Sequence, residues 1–252
     1  MKAPRLAAAL LAGSPDALAE LFDAYGDRLF RYCWSMLRSR ELAQVALRDT
    51  LLVAQAHIAR LADPEDPESL GPWLYSLARA ECRRHQAVPA DEADESPDWL
   101  GLPAADARLM SWHAAMSLDA AEFEALDLAC RHYVDLGQVL GLPAAVCEDL
   151  LARARQNLER ALGAEILAGR GPACLDREVI LVGQASPLGT EARTRVLEHA
   201  DGCAACGPEV PHNVSATRVF AQLPAPVLTA QDRAGILAVL VGEERAAALA
   251  LA

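Results

Sequence analysis

The stretch Arg195-Val-Leu-Glu-His-Ala-Asp-Gly-Cys-Ala-Ala-Cys206 sets His199, Cys203 and Cys206 in an H-x3-C-x2-C array, and a further thiol, Cys174, stands upstream. If Thr190 to about His199 is helical, His199 and Cys203 lie four residues apart on one face and Cys206 follows within a turn. Three soft ligands then converge on one point. A closed tetrahedral site takes four protein ligands, and Cys174 is the nearest candidate for the fourth, so the expected shell is Cys3His around zinc. The array also constrains folding, because a unit running from about Pro172 to Pro211 is too small to fold well without a metal. A redox-labile version of the same site stays open as a subordinate reading, since thiolate ligands are oxidisable.

The other thiols argue against a disulfide framework. Cys33, Cys82, Cys130 and Cys147 are scattered through apolar helical patterns, and the total of seven cysteines is odd. With 252 residues and 53% hydrophobic side chains, the chain can bury a sizeable core divided over two or three units. Alanine and leucine dominate, aromatics make up 5%, and β-branched runs are short, so helix is favoured nearly throughout. The expected fold class is all-α.

The first residues, Met1 to Gly13, faintly resemble a signal peptide, but Ser14-Pro15-Asp16 reads as a helix cap and an amphipathic pattern follows. No run reaches the 18 or more apolar residues of a spanning helix, so no membrane contact is expected and the cytoplasm is the expected location. The formal net charge of -12 disfavours affinity built on phosphate contacts. Its distribution is uneven: residues 1–86 are close to neutral and end in Arg79, Arg83 and Arg84, whereas Asp91 to Asp98 is acidic without a compensating base.

Five segments follow from this patterning. Residues 1–86 hold several amphipathic helices punctuated at Arg38-Ser-Arg40 and at Asp63 to Ser69. An acidic linker spans 87–101. Residues 102–168 are helical and contain the outline of a helix-turn-helix, in which a short apolar helix meets Gly141 and a second helix opens at Leu142-Pro143. The zinc segment covers 169–212. The tail, 213–252, is broken by prolines before Thr229-Ala-Gln-Asp232 caps a last helix whose apolar stripe, Ile236, Leu237, Leu240 and Val241, is expected to dock on the chain itself.

The opening helix Asp16 to Tyr25, the run Arg48-Asp-Thr-Leu-Leu-Val-Ala54, Leu61-Ala-Asp-Pro, and Pro72-Trp-Leu-Tyr-Ser-Leu-Ala-Arg-Ala-Glu-Cys-Arg-Arg84 together resemble the promoter-melting and polymerase-binding domain (region 2) of extracytoplasmic-function sigma factors. Residues 102–168 are similar to the −35 domain (region 4) of that family, and 169–212 to the zinc-binding anti-sigma fold. The resemblance implies that the helix around Gln44, Arg48 and Asp49 docks on core RNA polymerase. It also implies that the helix of Trp73, Tyr75, Arg79, Arg83 and Arg84 faces promoter DNA, the rings stacking on unpaired bases and the arginines meeting phosphates. The matching recognition helix departs from the family pattern, since it offers Cys147, Glu148, Asp149 and Leu150; carboxylates facing phosphates repel, so −35 recognition is expected to be weak.

Two functional classes compete. One is a sigma factor that binds core polymerase and promoter DNA and is gated by a zinc regulator fused behind it, which would fold back on the sigma units. The other is a sigma-derived interaction protein, an anti-sigma factor or transcriptional adaptor without −35 DNA recognition, that binds another sigma factor, a regulator or polymerase. Catalysis is not expected: the chain has no phosphate-binding glycine loop or nucleophile motif, and a Cys3His shell leaves zinc no open position.

Overall fold

The computed structural model describes residues 3–85 apart from 15, 62, 65 and 67, and then residues 104–132 and 134–250, with side chains as far as 242. The acidic linker expected over 87–101 lies outside the described residues, as does Pro15 of the first cap. Among the described residues every regular element is helical, as the all-α expectation requires. Twelve α-helices are described: α1 (Ala3–Leu11), α2 (Ala17–Leu37), α3 (Arg40–His57), α4 (Leu70–Arg84), α5 (Ala104–Met116), α6 (Ala120–Asp127), α7 (Leu136–Leu140), α8 (Ala144–Arg170), α9 (Leu175–Leu181), α10 (Thr190–Gly202), α11 (Ala216–Ala221) and α12 (Ala230–Ala250). They fall into two compact units. The first holds α1 to α4 with α7 and α12; the second holds α5, α6 and α8 to α11.

In the first unit α2 is the central helix. Its apolar residues recur at helical spacing, and Leu18, Leu21, Phe22, Leu29 and Phe30 are all buried. The helix stops where Arg38 turns left-handed (φ 55°) and donates its N–H to the Trp34 carbonyl at 2.8 Å. Ser39 then caps α3, its hydroxyl accepting the Leu42 N–H at 3.3 Å. This tight connection returns the chain at once, so α3 packs along α2 and α4 packs on both. The last helix, α12, lies on α2 and α3, with Ile236 and Leu240 buried, which gives its apolar stripe the partner it needed.

The second unit is organised by α8, against which α5, α6 and α10 pack. Asp119 and Glu122 form a reciprocal cap at the start of α6, and Glu122 also accepts from Asn157 of α8 at 2.7 Å. A π-helical turn, Leu128–His132, follows α6 and folds Arg131 and His132 back on the fully buried Asp127, at 3.1 and 3.2 Å. Phe220 of α11 meets Phe123 with ring centroids 5.4 Å apart.

Three expected boundaries differ. The turn at Gly141 forms as read, with φ +69° and the Gly141 N–H on the Gly137 carbonyl at 2.9 Å, and α8 starts after Pro143. Its two helices, however, join different units: α7 packs on α4 in the first, and α8 belongs to the second. A five-residue helix has too little surface to hold itself and goes to whichever apolar face is available. Residues 169–212, expected to form a separate zinc-binding domain, are not a separate body, because Val196, Leu197 and Ala200 of α10, with Leu188, share one core with Ala164 and Leu167 of α8. The tail is likewise divided, α11 joining the second unit and α12 the first.

Candidate metal centre

Cys174 occupies the cap position before α9, and His199 lies in the last turn of α10. Cys203 ends α10 with its N–H on the Ala200 carbonyl at 3.2 Å, and its own carbonyl accepts the Gly207 N–H at 2.9 Å. Glycine suits that tight reversal: a Cβ at Gly207 would stand 3.0 Å from the Ala200 oxygen, so the backbone there would have to give by a few tenths of an ångström. It turns Cys206 inward, where it is buried in the core shared with α8.

The result is one cluster. Cys174 Sγ lies 3.3 Å from His199 Nε2 and 4.0 Å from Cys203 Sγ, and the ligand atoms of Cys174, His199, Cys203 and Cys206 all lie within 4.8 Å of one another. A tetrahedral zinc with bonds of about 2.3 Å to sulfur and about 2.0 Å to nitrogen has edges of roughly 3.8 Å between sulfurs and roughly 3.5 Å between sulfur and nitrogen. These two separations match those edges within a few tenths of an ångström. All seven cysteines are free, so no disulfide competes for these sulfurs. The four side chains can hold a metal ion, and the donor set suits zinc.

The thiols are electrostatically unequal. Hydrogen bonds from the backbone of Cys206 and Ala205 bring the Cys203 thiol down to about 7. Burial, reinforced by hydrogen bonds with Cys203 and Cys174, pushes Cys206 up to about 12. Coordination requires thiolates, so metal binding here releases protons.

One buried carboxylate ties the approach to α10 onto α8. Glu165 of α8 accepts the Leu188 N–H at 2.6 Å, just ahead of α10, and its other oxygen lies 3.2 Å from His113 Nδ1. Nothing local in the sequence pointed to Glu165, whose partners are 23 and 52 residues away. Glu165→Ala leaves a buried N–H without an acceptor, and its expected cost is about 1–3 kcal/mol in urea unfolding of the second unit. A change below about 0.5 kcal/mol would show that the carboxylate does not anchor this junction.

A second grouping of metal-competent atoms, Asp49, Glu81 and His85, lies in the first unit. It is already an ion-pair network. Asp49 holds Arg48 at 2.8 Å and His85 at 3.1 Å, and the buried Glu81 holds Arg84 at 3.2 Å. Two guanidinium groups neutralise the two carboxylates, which removes the charge a cation would need.

The residues to which the resemblance gives polymerase contacts are therefore engaged within the unit. Gln44 donates to Asp232 of α12 at 2.7 Å, and Arg48 and Asp49 pair with each other. On α4, Arg83 and Arg84 are exposed, while Trp73 and Arg79 are partly buried. Tyr75 is a correction. It is 2% exposed and meets the buried Tyr32 edge to face, centroids 5.4 Å apart, so it belongs to the core and offers no stacking face to a base. Its position on α4 is three residues from Pro72 and seven from Cys82, both buried, which puts it on the apolar side of the helix. The sequence reading also missed Arg40, which pairs with Asp232 across 192 positions. No family model matches the chain, and no curated protein matches it.

Proposed function

We propose that the chain is a sigma-factor-like regulator of transcription initiation that engages core RNA polymerase and promoter DNA through its first unit, with a zinc-holding segment fused behind it. The observation that carries this reading is the end of α4. Arg83 and Arg84 stand exposed there on a helix that also carries Trp73 and Arg79, and α3 alongside it bears Gln44, Arg48 and Asp49. Exposed guanidinium groups at a helix end suit phosphate oxygens, and a partly buried indole can still offer an edge to an unstacked base.

Zinc, when bound, supplies a staple and no reaction: Cys174, His199, Cys203 and Cys206 tie the start of α9 to the end of α10, and four protein ligands leave no position for substrate. The reading therefore assigns the chain no catalysis. It places the protein in the cytoplasm; among the described residues no helix is long and apolar enough to cross a membrane.

The test is the affinity of the zinc-loaded chain for core polymerase beside an Asp49→Arg variant. At least a tenfold weakening in the variant is expected, together with loss of cross-linking to the melted promoter strand in Arg83→Ala/Arg84→Ala. Equal affinity of parent and Asp49→Arg sinks the reading.

A specific observation favours a second reading, an adaptor or anti-sigma protein without −35 recognition. The start of α8 exposes Ala144, Ala145, Val146, Glu148 and Asp149, an apolar and acidic surface that offers phosphates no cation. On this reading a duplex carrying a −35 element is not retained at physiological salt. Retention that falls steeply with added salt would rule it out.

A further inference from the structure

We propose that α12 is a built-in cover over the polymerase-facing side of α3, held shut by Asp232 on Arg40 and Gln44. The proposal rests on the polymerase reading of α3 given above. It starts from the sequence of the cap: Thr229 and Asp232 satisfy each other reciprocally, the Thr229 N–H and hydroxyl donating to the carboxylate at 2.7 and 2.8 Å, and the Asp232 N–H donating to the hydroxyl at 3.1 Å. The same carboxylate then reaches across to α3. One oxygen accepts from Gln44 at 2.7 Å and the other from Arg40, so one side chain both starts α12 and fixes where it lies. Arg233, the next residue, pairs with Asp27 of α2 and lies over the Phe22 ring at 5.5 Å.

Beyond this polar clip, the described side chains of α12, up to residue 242, hold it by a narrow apolar stripe. Ile236 and Leu240, four and eight residues past Asp232, are buried, but Val239 is 38% exposed. A cleft of about 380 Å³ stays open between the helices, lined by Gln44, Val45, Arg48, Asp232, Ile236 and Val239. A core helix would have filled that space. Arg40 and Arg233 are about a third exposed, so their ion pairs are weakened by water and by salt. With two buried apolar anchors among its described side chains, Ile236 and Leu240, and two screened pairs, α12 is a helix that can leave while the rest of the unit stays folded. While it is seated, Gln44 is spent on Asp232 and the neighbouring surface of Val45 and Arg48 forms the floor of the cleft. A partner that needs this face must first displace α12, and its apparent affinity falls by the fraction of chains that are open.

The discriminating variant is Arg40→Asp in the full chain. Arg40 is the first residue of α3, where an acidic side chain is favourable to the helix, and the Thr229–Asp232 cap is untouched. Two carboxylates then face each other across the seam. Hydrogen exchange of the amides of 232–242 is expected to rise at least tenfold, and binding to core polymerase to tighten at least tenfold. Arg40→Lys, which keeps the positive charge facing Asp232 and leaves the Thr229–Asp232 cap intact, is expected to hold both near the parent values, which separates release of the helix from general damage. Unchanged exchange in Arg40→Asp overturns the clip. Raised exchange with unchanged affinity, in a chain that does bind polymerase, overturns the cover and leaves the functional reading standing. Raised exchange with no polymerase complex in parent or variant overturns the functional reading and the cover with it.

Discussion

Cys206→Ser is expected to weaken zinc binding by about two to three orders of magnitude, read by competition with a chromophoric chelator. Structural zinc sites of this kind bind with about 10–16 kcal/mol, which shared over four ligands is about 2.5–4 kcal/mol each, and about 1.4 kcal/mol is a factor of ten. If these four side chains hold a metal, the structural consequence of stripping it is uneven. α9 has seven residues and exposes Leu175 and Val179 at 80% and 70%; Ile180 and Leu181 pack on the core shared by α8 and α10 but are only partly buried, so the apolar hold on it is modest. Helices of that length do not persist alone in water. α10, by contrast, keeps Val196, Leu197 and Ala200 in the core it shares with α8. Chelation is therefore expected to abolish amide protection across α9 while α10 keeps most of its own. Equal protection of α9 with and without the metal would show that the four side chains do not staple it, and full zinc content in Cys206→Ser would remove Cys206 from the ligand set.

Tyr75→Ala is expected to destabilise the first unit by about 3–5 kcal/mol, the range for deleting a large buried aromatic side chain. The ring is surrounded on all sides and meets Tyr32 edge to face, so truncation opens a cavity between α2 and α4 that rigid helices close only in part. Against a total stability of about 5–15 kcal/mol for a domain, this is a large fraction. Urea unfolding followed by circular dichroism reads it. Arg83→Ala, on the exposed end of the same helix, is expected to change stability by no more than about 0.5 kcal/mol. A loss below about 1 kcal/mol for Tyr75→Ala would return the ring to the surface and reopen its assignment to stacking on a base.

The contrast between Tyr75 and Arg83 shows how far a helix pattern can be read. Period alone places Leu74, Ala78 and Cys82 on an apolar side of α4, and they are buried. Tyrosine is amphipathic, and its ring was assigned to DNA through a family resemblance. The packing partner that decided otherwise, Tyr32, lies on another helix more than forty positions earlier. Asp232 is the same case in reverse: its role as a cap was legible because Thr229 is three residues away, and its role as a clip was not, because Arg40 and Gln44 come from the other end of the chain.

What the sequence determined by itself was what rests on short spacing. Helical class, the turns at Arg38–Ser39 and Gly141, the cap at Thr229, and three of the four metal-competent residues all depend on atoms a few positions apart, where backbone geometry leaves few alternatives. The tertiary structure decided which apolar face met which. It sent α7 and α12 to the first unit, joined the metal-competent segment to α8, buried Tyr75, and brought Glu165 to Leu188. Hydrophobic burial has magnitude but no direction, so a stripe such as Ile236 and Leu240 announces that it needs a partner, and only the packed fold selects one.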